Sequence, residues 1–440
     1  MRIFDSKKDN FKDFLKKRRL GQLDFSDKVQ QKLKIIRSDV ISKGDKALSA
    51  YTEKFDKIKL EPEDFLIKEN DKAKAVNFLT KNERKSIENT IKRVYDYHSK
   101  QKIQTWFSNN DCGLITGQLI APLQKVGIYV PGGKASYPSS VIMNAVPASA
   151  AGVKDIIMVT PPGGKLNDYV IAAAVLCGIS KIFRIGGPHA VFALAYGTET
   201  IPRVDKIAGP GNIYVATAKK MVYGDVDIDM IAGPSEIAII CDESADPELV
   251  SIDMMSQAEH DEMAISTAIS DSRPIIEKIK KILPKLIKNE KRKEIIEKSI
   301  NSNASLVITD SLNESIDIAN ELAPEHLELY VKDPFEKLFL IKNAGAVFLG
   351  GNTPEALGDY VAGPSHVLPT GGTARFFSPL DTLSFLKRTS VISSNPDFLL
   401  ESAGDVEFFS GVEGLSAHGE SVSFRVKKAK KTIKKPPCLR

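Results

Sequence analysis

From residue 124 to residue 241 the sequence alternates short β-branched runs with alanine-rich stretches, and glycine or proline closes most runs. The stretches between the runs are predicted as helices. This alternation favours a mostly parallel sheet with helices on both faces, whose ligands bind beyond the carboxyl ends of the strands. A second alternation, from SLVITD (305–310) to AGAVFLG (344–350), extends the α/β pattern. The predicted strands of the first alternation are VGIYV (126–130), DIIMVT (155–160), KIFRI (181–185), VDKI (204–207) and EIAIIC (236–241).

Glycine-rich turns follow the predicted strands: PGGKAS, TPPGGK, IGGPH, AGPGN and AGPSE. The segment GIYVPGGK approaches the phosphate-binding P-loop, but Lys134 stands one residue too far along and Ala135 replaces the required serine or threonine. A GxGxxG turn that opens a helix is also absent from the sequence. A dinucleotide would therefore bind through a different arrangement of glycine turns, and roughly half of these glycines are explained by tight turns alone.

Composition limits the class of protein. Residues 1–110 are polar, with apolar residues at helical spacing, and are predicted to be helical scaffold.

Charges begin at residue 2 with no apolar run behind them, which argues against a secretory signal or spanning helix and favours a cytoplasmic protein. The four cysteines have no CxxC spacing and indicate neither a cysteine metal site nor a disulfide scaffold.

The net charge of +5 is concentrated at one end of the chain. Residues 425–440 contain eight basic residues and no acidic one, so the rest of the chain has 53 basic against 56 acidic side chains. The body of the protein is therefore not expected to bind nucleic acid or another polyanion. The tail is interpreted as a solvated end.

Two pairs of polar residues stand out as candidates for chemistry. Glu325 and His326 are adjacent, after Pro324, in otherwise apolar sequence. An adjacent carboxylate and imidazole can move two different protons at neutral pH. Gln257 and His260 fall one turn apart on a predicted helix, so both can reach one point in space. Taken alone, either pair is more often a solvated surface pair than a site.

Further candidates follow in the C-terminal half. The long Gly/Pro-rich loop at 351–376 carries Asp359 and His366, and GVEGLSAHGESV carries Glu413 and His418. Four of the six histidines thus lie in polar settings in this half, which favours one shared site. Two imidazoles, a carboxylate and an amide oxygen would make a borderline-to-hard metal site. Zn²⁺ is its default occupant, and Mn²⁺ or Co²⁺ are alternatives.

The motifs GIYVPGG, AGPGN, AGPSE, SQAEHD, APEHLEL, GDYVAGPSHVLPTGGTARF and GLSAHGES occur in one order along the chain. With them the chain closely resembles the histidinol dehydrogenases, up to about residue 426. In that family zinc is held by the residues that match Gln257, His260, Asp359 and His418, and the resemblance implies the same four here. His418 would come from the partner subunit, which implies an obligate homodimer with composite active sites.

The reaction that the resemblance implies is oxidation of L-histidinol to L-histidine through L-histidinal with two NAD⁺, the last step of histidine biosynthesis. His326 would accept the alcohol proton and Glu325 would activate water. His189 stands where the family usually has glutamine, which puts NAD⁺ affinity in question. The implied substrate-binding residues are Ser235, Gln257, His260, His326, Asp359, His366, Glu413 and His418, and the implied cofactor-binding residues are Tyr129, His189 and Asn212.

We therefore predict an α/β fold with two incomplete Rossmann-like parallel-sheet domains and helical N-terminal and C-terminal extensions. Two alternatives stay open: a related zinc- and NAD-dependent dehydrogenase for another small alcohol, such as a sulfonated diol, and a zinc-dependent scaffold protein with a degenerate site. The expected division is an N-terminal helical arm (1–24), a first α/β domain with the metal and catalytic residues (25–128 and 236–380), a second α/β domain on the NAD side (129–235) and a C-terminal dimerisation extension with a basic tail (381–440).

Overall fold

The computed structural model describes residues 1–9, 11, 27–110, 112–132, 137–163 and 167–432. Most of the expected N-terminal arm lies outside the described residues, as do parts of the PGGKAS and TPPGGK turns, including Lys134 and Ala135, and the end of the basic tail. The chain forms two compact units. The larger contains Met1–Gln101 and Leu123–Phe385, and the smaller contains Lys102–Pro122 and Leu386–Arg440.

The larger unit is built on two parallel sheets, as the strand–helix alternation predicts. Their strand orders are β6-β5-β4-β7-β8 and β1-β11-β10-β9-β12-β13, and the smaller unit has an antiparallel sheet, β14-β3-β2. In chain order the strands are β1 (Arg2–Asp5), β2 (Trp106–Asn109), β3 (Leu114–Pro122), β4 (Lys125–Tyr129), β5 (Asp155–Val159), β6 (Lys181–Phe183), β7 (Lys206–Ala208), β8 (Asp227–Ile228), β9 (Glu236–Cys241), β10 (Ile265–Ser270), β11 (Ser305–Ile308), β12 (His326–Tyr330), β13 (Ala346–Leu349) and β14 (Leu386–Ser394).

Helices cover the two parallel sheets, and polar caps fix several of their starts. Thr80 and Glu83 form a capping box, and the side chains of Asn167, Asn212 and Asp246 accept N–H groups of the first turn. The helices are α1 (Asp27–Lys43), α2 (Asp45–Asp56), α3 (Glu69–Phe78), α4 (Lys81–Ser99), α5 (Pro138–Ala151), α6 (Asp168–Leu176), α7 (Gly187–Tyr196), α8 (Ile213–Val222), α9 (Pro247–Ala258), α10 (Arg273–Ile287), α11 (Lys293–Asn303), α12 (Leu312–Leu322), α13 (Pro334–Lys337), α14 (Glu355–Tyr360), α15 (Pro396–Val412) and α16 (Ser416–Thr432). Short 3₁₀ turns occur at Pro62–Asp64, Leu338–Leu340, Thr373–Arg375 and Leu383–Phe385.

The N-terminal helices pack on the five-stranded sheet. Leu33 of α1 shares a core with Phe183, and Val94 of α4 shares one with Ile128. The sequence did not predict this packing, because an amphipathic helix shows which face it buries, whereas the surface that covers that face depends on distant residues. The expected domain division, which groups residues 25–128 with 236–380, stays a prediction.

Three strands occur where the sequence was expected to be helical. β1 pairs in parallel with β11 at the edge of the six-stranded sheet. β2 and β14 flank β3 in the smaller unit, and all four residues of β2 are exposed. A strand exposed on both faces has no alternation of apolar and polar residues to identify it. Helices α15 and α16 complete this unit and leave Phe408, Phe409 and Phe424 more than 60% exposed.

No helix in the described part of the chain is both long and apolar enough to span a membrane.

A buried ion pair closes the AGPGN turn after β7. Lys219 of α8 pairs with Asp229, and both side chains are at most 3% exposed. Lys219 also donates to the Gly209 carbonyl at 2.8 Å, and Asp229 accepts the Gly209 N–H at 2.8 Å. Gly209 has a φ of +114°, and a Cβ there would lie 2.1 Å from the Tyr129 carbonyl oxygen. The turn therefore requires glycine and approaches the end of β4.

Lys219→Met should destabilise the protein by about 3–5 kcal/mol, because it leaves Asp229 charged, buried and unpaired. The change is measured as a fall in the urea midpoint. Lys92→Met, which removes an exposed pair with Asp96 on α4, is the matched control and should shift the midpoint far less. Equal shifts for the two variants would contradict the structural importance of the buried pair.

Candidate active site

The backbone of Glu236 holds both members of the Glu325–His326 pair. Glu325 immediately precedes β12, and His326 is its first residue. The Glu236 N–H donates to Glu325 Oε2 at 2.9 Å, and His326 Nδ1 lies 3.2 Å from the Glu236 carbonyl oxygen. A carbonyl accepts only, so Nδ1 carries the proton and Nε2 keeps its lone pair. His326 Nε2 is buried and has no hydrogen-bond partner among the described residues.

The pair lies at the amino-terminal end of its strands, contrary to the sequence expectation that ligands bind beyond the carboxyl ends. β9 and β12 run parallel, and His326 is in register with Ile237. The chemistry-bearing residues come from the turns that lead into these strands, not from those that leave them. The sheet is open and parallel, with the order β1-β11-β10-β9-β12-β13, so this pair is an exception to the general rule for such sheets.

A cluster of carboxylates and imidazoles surrounds His326. Glu355 opens helix α14, and Asp359 lies one turn later on the same helix. His326 Nδ1 is 3.7 Å from Glu355 Oε1, and His326 Nε2 is 3.8 Å from Asp359 Oδ1. His260 Nε2 lies 4.0 Å from Glu355 Oε1 and 3.9 Å from Asp359 Oδ2. His366 Nδ1 is 3.0 Å from the Asp359 carbonyl oxygen, which fixes the orientation of its ring.

Gln257 and His260 come from the end of α9. Gln257 is fully buried, whereas the side chain of His260, two residues beyond the last helical residue, is 37% exposed. The Gln257 amide satisfies its surroundings when its nitrogen faces Glu355, where it donates to both carboxylate oxygens at 2.7 Å. In the opposite orientation acceptor oxygens face each other, and a cation would be needed to relieve the contact.

Burial governs the protonation of this cluster. It raises the pKa of Glu325 well above its ordinary value, against the lowering effect of the Glu236 N–H. It also raises the pKa of Glu355, to which the charges of Asp359 and Glu325 add. Burial lowers the pKa of His326 to about 4 and lowers that of His366. Carboxyl groups forced together away from water and beside neutral imidazoles form a site suited to a cation.

The donor set fits a divalent metal. Ligand atoms of His260, Glu355 and Asp359 all lie within 4.8 Å of one another. Imidazole nitrogens and carboxylate oxygens are the ligands that zinc and its neighbours accept. Glu355 was not among the residues predicted from the sequence. Its spacing of four residues from Asp359 in GNTPEALGDY is the signal that could have identified it.

The remaining expected substrate residues lie in both units. Ser235 is half-buried directly before β9, and its carbonyl accepts the Ile265 N–H at 2.9 Å. Glu413 and His418 belong to the smaller unit, where Glu413 ends α15 and His418 lies in the first turn of α16. Both line a cavity of about 240 Å³ together with Phe409 and Leu415.

A cleft of about 550 Å³ opens beside the cluster in the larger unit. His260 and Asp359 form one side of it, and the first turn of α5 and one face of α4 form the others. Tyr137, Ser139 and Ser256 add hydroxyl groups to its wall. The cleft gives a small polar molecule access to the two candidate metal ligands.

The expected cofactor residues cluster at the carboxyl end of the five-stranded sheet. Strand order reverses between β4 and β7, where Tyr129 and the AGPGN turn meet, and this is the usual ligand crevice of such a sheet. The Tyr129 hydroxyl accepts the Gly187 N–H at 3.1 Å, and Asn212 is exposed at the start of α8. His189 is instead fully buried, with Nε2 3.2 Å from Thr52 Oγ1.

Comparison with known proteins places the chain among relatives of one kind. The family model described as Histidinol dehydrogenase matches residues 21–426. The chain belongs to the histidinol dehydrogenase family. It is 46% identical over 423 residues to histidinol dehydrogenase from Sulfurimonas denitrificans, covering 96% of this chain and 97% of that protein. It is 50% identical over 401 residues to that from Geobacter sulfurreducens, covering 91% and 94%.

A solved structure agrees with the fold. The crystal structure of histidinol dehydrogenase from Elizabethkingia anophelis aligns with a TM-score of 0.88 at 33% identity, over 92% of this chain and 94% of that one. The predicted family and the predicted α/β fold with parallel, Rossmann-like sheets are therefore confirmed. The protein is an oxidoreductase that oxidises histidinol in histidine biosynthesis.

Glu325→Gln should stabilise the metal-free protein, and increasingly so as the pH rises above about 4.5. The raised pKa means that folded Glu325 keeps a proton that the unfolded chain releases, so wild-type stability falls between the unfolded and folded pKa values. The measurement is the thermal midpoint of both proteins against pH in the presence of a chelator. Glu336→Gln, at an exposed position, is the control, and a wild-type–variant difference that does not grow with pH would contradict the interpretation.

Proposed function

We propose that the chain oxidises L-histidinol to L-histidine through L-histidinal, using zinc and two NAD⁺, with His326 and Glu325 as the two bases. The observation that carries the proposal is the attachment of both side chains to the backbone of Glu236. The backbone of one residue thereby fixes a neutral imidazole and a carboxyl group side by side, next to the cleft at His260 and Asp359.

His326 takes the substrate's hydroxyl proton in this proposal. Its Nδ1–H is committed to the Glu236 carbonyl, so Nε2 is the atom that accepts a proton. The lowered pKa keeps the ring neutral at physiological pH, as a base must be before it reacts. A positioned base of this kind is typically worth about 10²–10⁴-fold in rate.

Glu325 is assigned to the second oxidation. Glu325 acts in its ionised form, which the positive charge of a bound metal would favour, and the raised pKa makes that carboxylate a stronger base toward the water molecule that attacks the aldehyde. The resulting hydrated aldehyde again presents a hydroxyl proton, which His326 accepts once it has released the first proton to water. The two bases thus act on different protons, one from water and one from the substrate.

The metal is assigned to Gln257, His260 and Asp359, with His418 of the partner subunit completing the set. When bound, zinc supplies a Lewis acid that orients the amino and imidazole nitrogens of the substrate, and orientation is worth at best roughly 7–11 kcal/mol. Glu355 adds a further carboxyl group beside these ligands. The donor set also accepts Mn²⁺ or Co²⁺.

The remaining residues are assigned to binding. Ser235, His366 and Glu413 would contact the substrate, where a carboxylate can pair with its cationic or hydrogen-bonding ends. Tyr129, Asn212 and His189 are the cofactor positions, although the burial of His189 favours a role in holding α7 against Thr52 of α2. NAD⁺ supplies the hydride acceptor. The expected domain division, with its C-terminal dimerisation extension, and the cytoplasmic location stay predictions.

The strongest competing function is oxidation of another small alcohol by a relative with the same metal and cofactor. The presence of His366 and Glu413, which match the histidinol pattern, argues against it. Turnover of another diol without turnover of histidinol would select this competitor.

Purified wild-type protein with Zn²⁺, NAD⁺ and L-histidinol should release two NADH per histidinol, with histidine as product. Glu325→Gln should retain much of the first oxidation and lose most of the second, by about 10²–10⁴-fold, because only the second requires an activated water. NADH absorbance and separate assays with L-histidinol and L-histidinal measure the two steps. Equal loss of both steps would refute the assignment of Glu325.

Mixing His326→Asn with His418→Asn protein should restore part of the activity if His418 is donated across the dimer. A hybrid dimer would then hold one intact site and one doubly impaired site. The measurement is activity after subunit exchange, compared with either variant alone. Mixing His326→Asn with Glu325→Gln is the control. Both residues enter a site from the same chain, so each site of that hybrid dimer carries one of the two substitutions and no activity should be restored.

A further inference from the structure

Behind the candidate metal site, three elements of the larger unit meet at a pair of acidic side chains. Glu328 of β12 is 4% exposed, and Asp253 of α9 is half-buried. Their carboxyl groups are joined by a hydrogen bond. Glu328 Oε1 also accepts the Glu355 N–H at 2.9 Å, at the start of α14. The pair therefore links β12, α9 and α14.

Each of those elements carries a residue of the proposed site. Alternate residues of a strand share a face, so Glu328 lies on the same face of β12 as His326. Asp253 is one turn before Gln257 on α9. Glu355 begins the helix on which Asp359 lies. A displacement of the Glu328–Asp253 pair would therefore be transmitted to two metal ligands and to the base.

The hydrogen bond between the two carboxyl groups requires a shared proton. An ionised carboxylate only accepts hydrogen bonds, so one member must be protonated to donate. Burial favours Glu328 for this role, since it raises the pKa of that group to about 8 and raises that of Asp253 to about 6. Glu328 then donates to Asp253 with one oxygen and accepts from Glu355 with the other.

We infer that Glu328, bonded to Asp253 and to the Glu355 N–H, is a positioning residue that sets the spacing of Gln257, Asp359 and His326 and thereby the zinc affinity of the site. This inference rests on the proposed function, which assigns zinc to these ligands. Side chains that orient metal ligands typically change metal affinity by about 10–100-fold when they are replaced.

The test compares Glu328→Gln with Glu328→Met. The glutamine side chain can accept from the Glu355 N–H and donate to Asp253, so it reproduces both bonds of a protonated Glu328. Methionine fills a similar volume and makes neither bond. The readout is the dissociation constant for Zn²⁺, measured on metal-free full-length protein by competition with a chelating dye.

We expect Glu328→Gln to bind Zn²⁺ with nearly wild-type affinity and Glu328→Met to bind about 10–100-fold more weakly. Thr267→Val, a change at a buried position in β10, controls for general destabilisation and should leave the affinity unchanged. Asp253→Ala removes the half-buried partner and should weaken zinc binding even if Glu328→Met fails to fold.

Several results would overturn the inference. Wild-type affinity in Glu328→Met, or in Asp253→Ala when Glu328→Met does not fold, would show that the pair does not position the ligands. Equal weakening in Glu328→Gln and Glu328→Met would show that hydrogen bonding by residue 328 is not the cause. A wild-type protein that binds no zinc would refute the proposed metal site itself, and with it this inference. The wild-type measurement therefore distinguishes failure of the metal site from failure of the positioning role alone.

Discussion

The geometry of Glu325 and His326 depends on their hydrogen bonds to the backbone of Glu236. Its N–H and carbonyl each hold one member of the pair, and its side chain accepts the Gly371 N–H at 2.8 Å from the loop after Asp359. β9 is paired on both sides, with β10 and β12, so this backbone cannot shift independently of the sheet. The orientation of Glu325 and His326 is therefore fixed by the paired strand β9 and not by a flexible loop.

The sequence predicted β4, β5, β6, β7 and β9 because each has a compact β-branched run, and glycine or proline closes most of these runs. It did not predict β2, whose four residues are all exposed and have no alternation. It also did not predict that α1 packs on the five-stranded sheet, because the partner of an apolar helix face depends on distant residues. At the site, the sequence predicted Glu325 and His326 as a candidate pair because the two residues are adjacent in the chain. Glu355 reads locally as an ordinary residue of a helix start, although it faces the metal candidates.

Concentrated carboxyl groups distinguish this site from an ordinary protein interior. Glu325, Glu328 and Glu355 are each at most 7% exposed, and burial raises the pKa of all three. Nearby imidazoles are held neutral by the same burial. A divalent cation would offset this excess of acceptors, so the electrostatics of this cluster agree with the proposed zinc chemistry. The AGPGN turn is different, since Lys219 and Asp229 neutralise each other within it.

That difference has a consequence for how the chain folds. The bonds around Gly209 join residues only 10 and 20 positions apart, so the AGPGN turn can close early, from one short segment. The contacts of Glu236 with Glu325 and His326 span 89 and 90 positions, and the larger loop carries a higher closure entropy. The AGPGN turn is thus closed by local contacts, whereas the pair Glu325 and His326 is positioned only when two remote strands of the other sheet have paired.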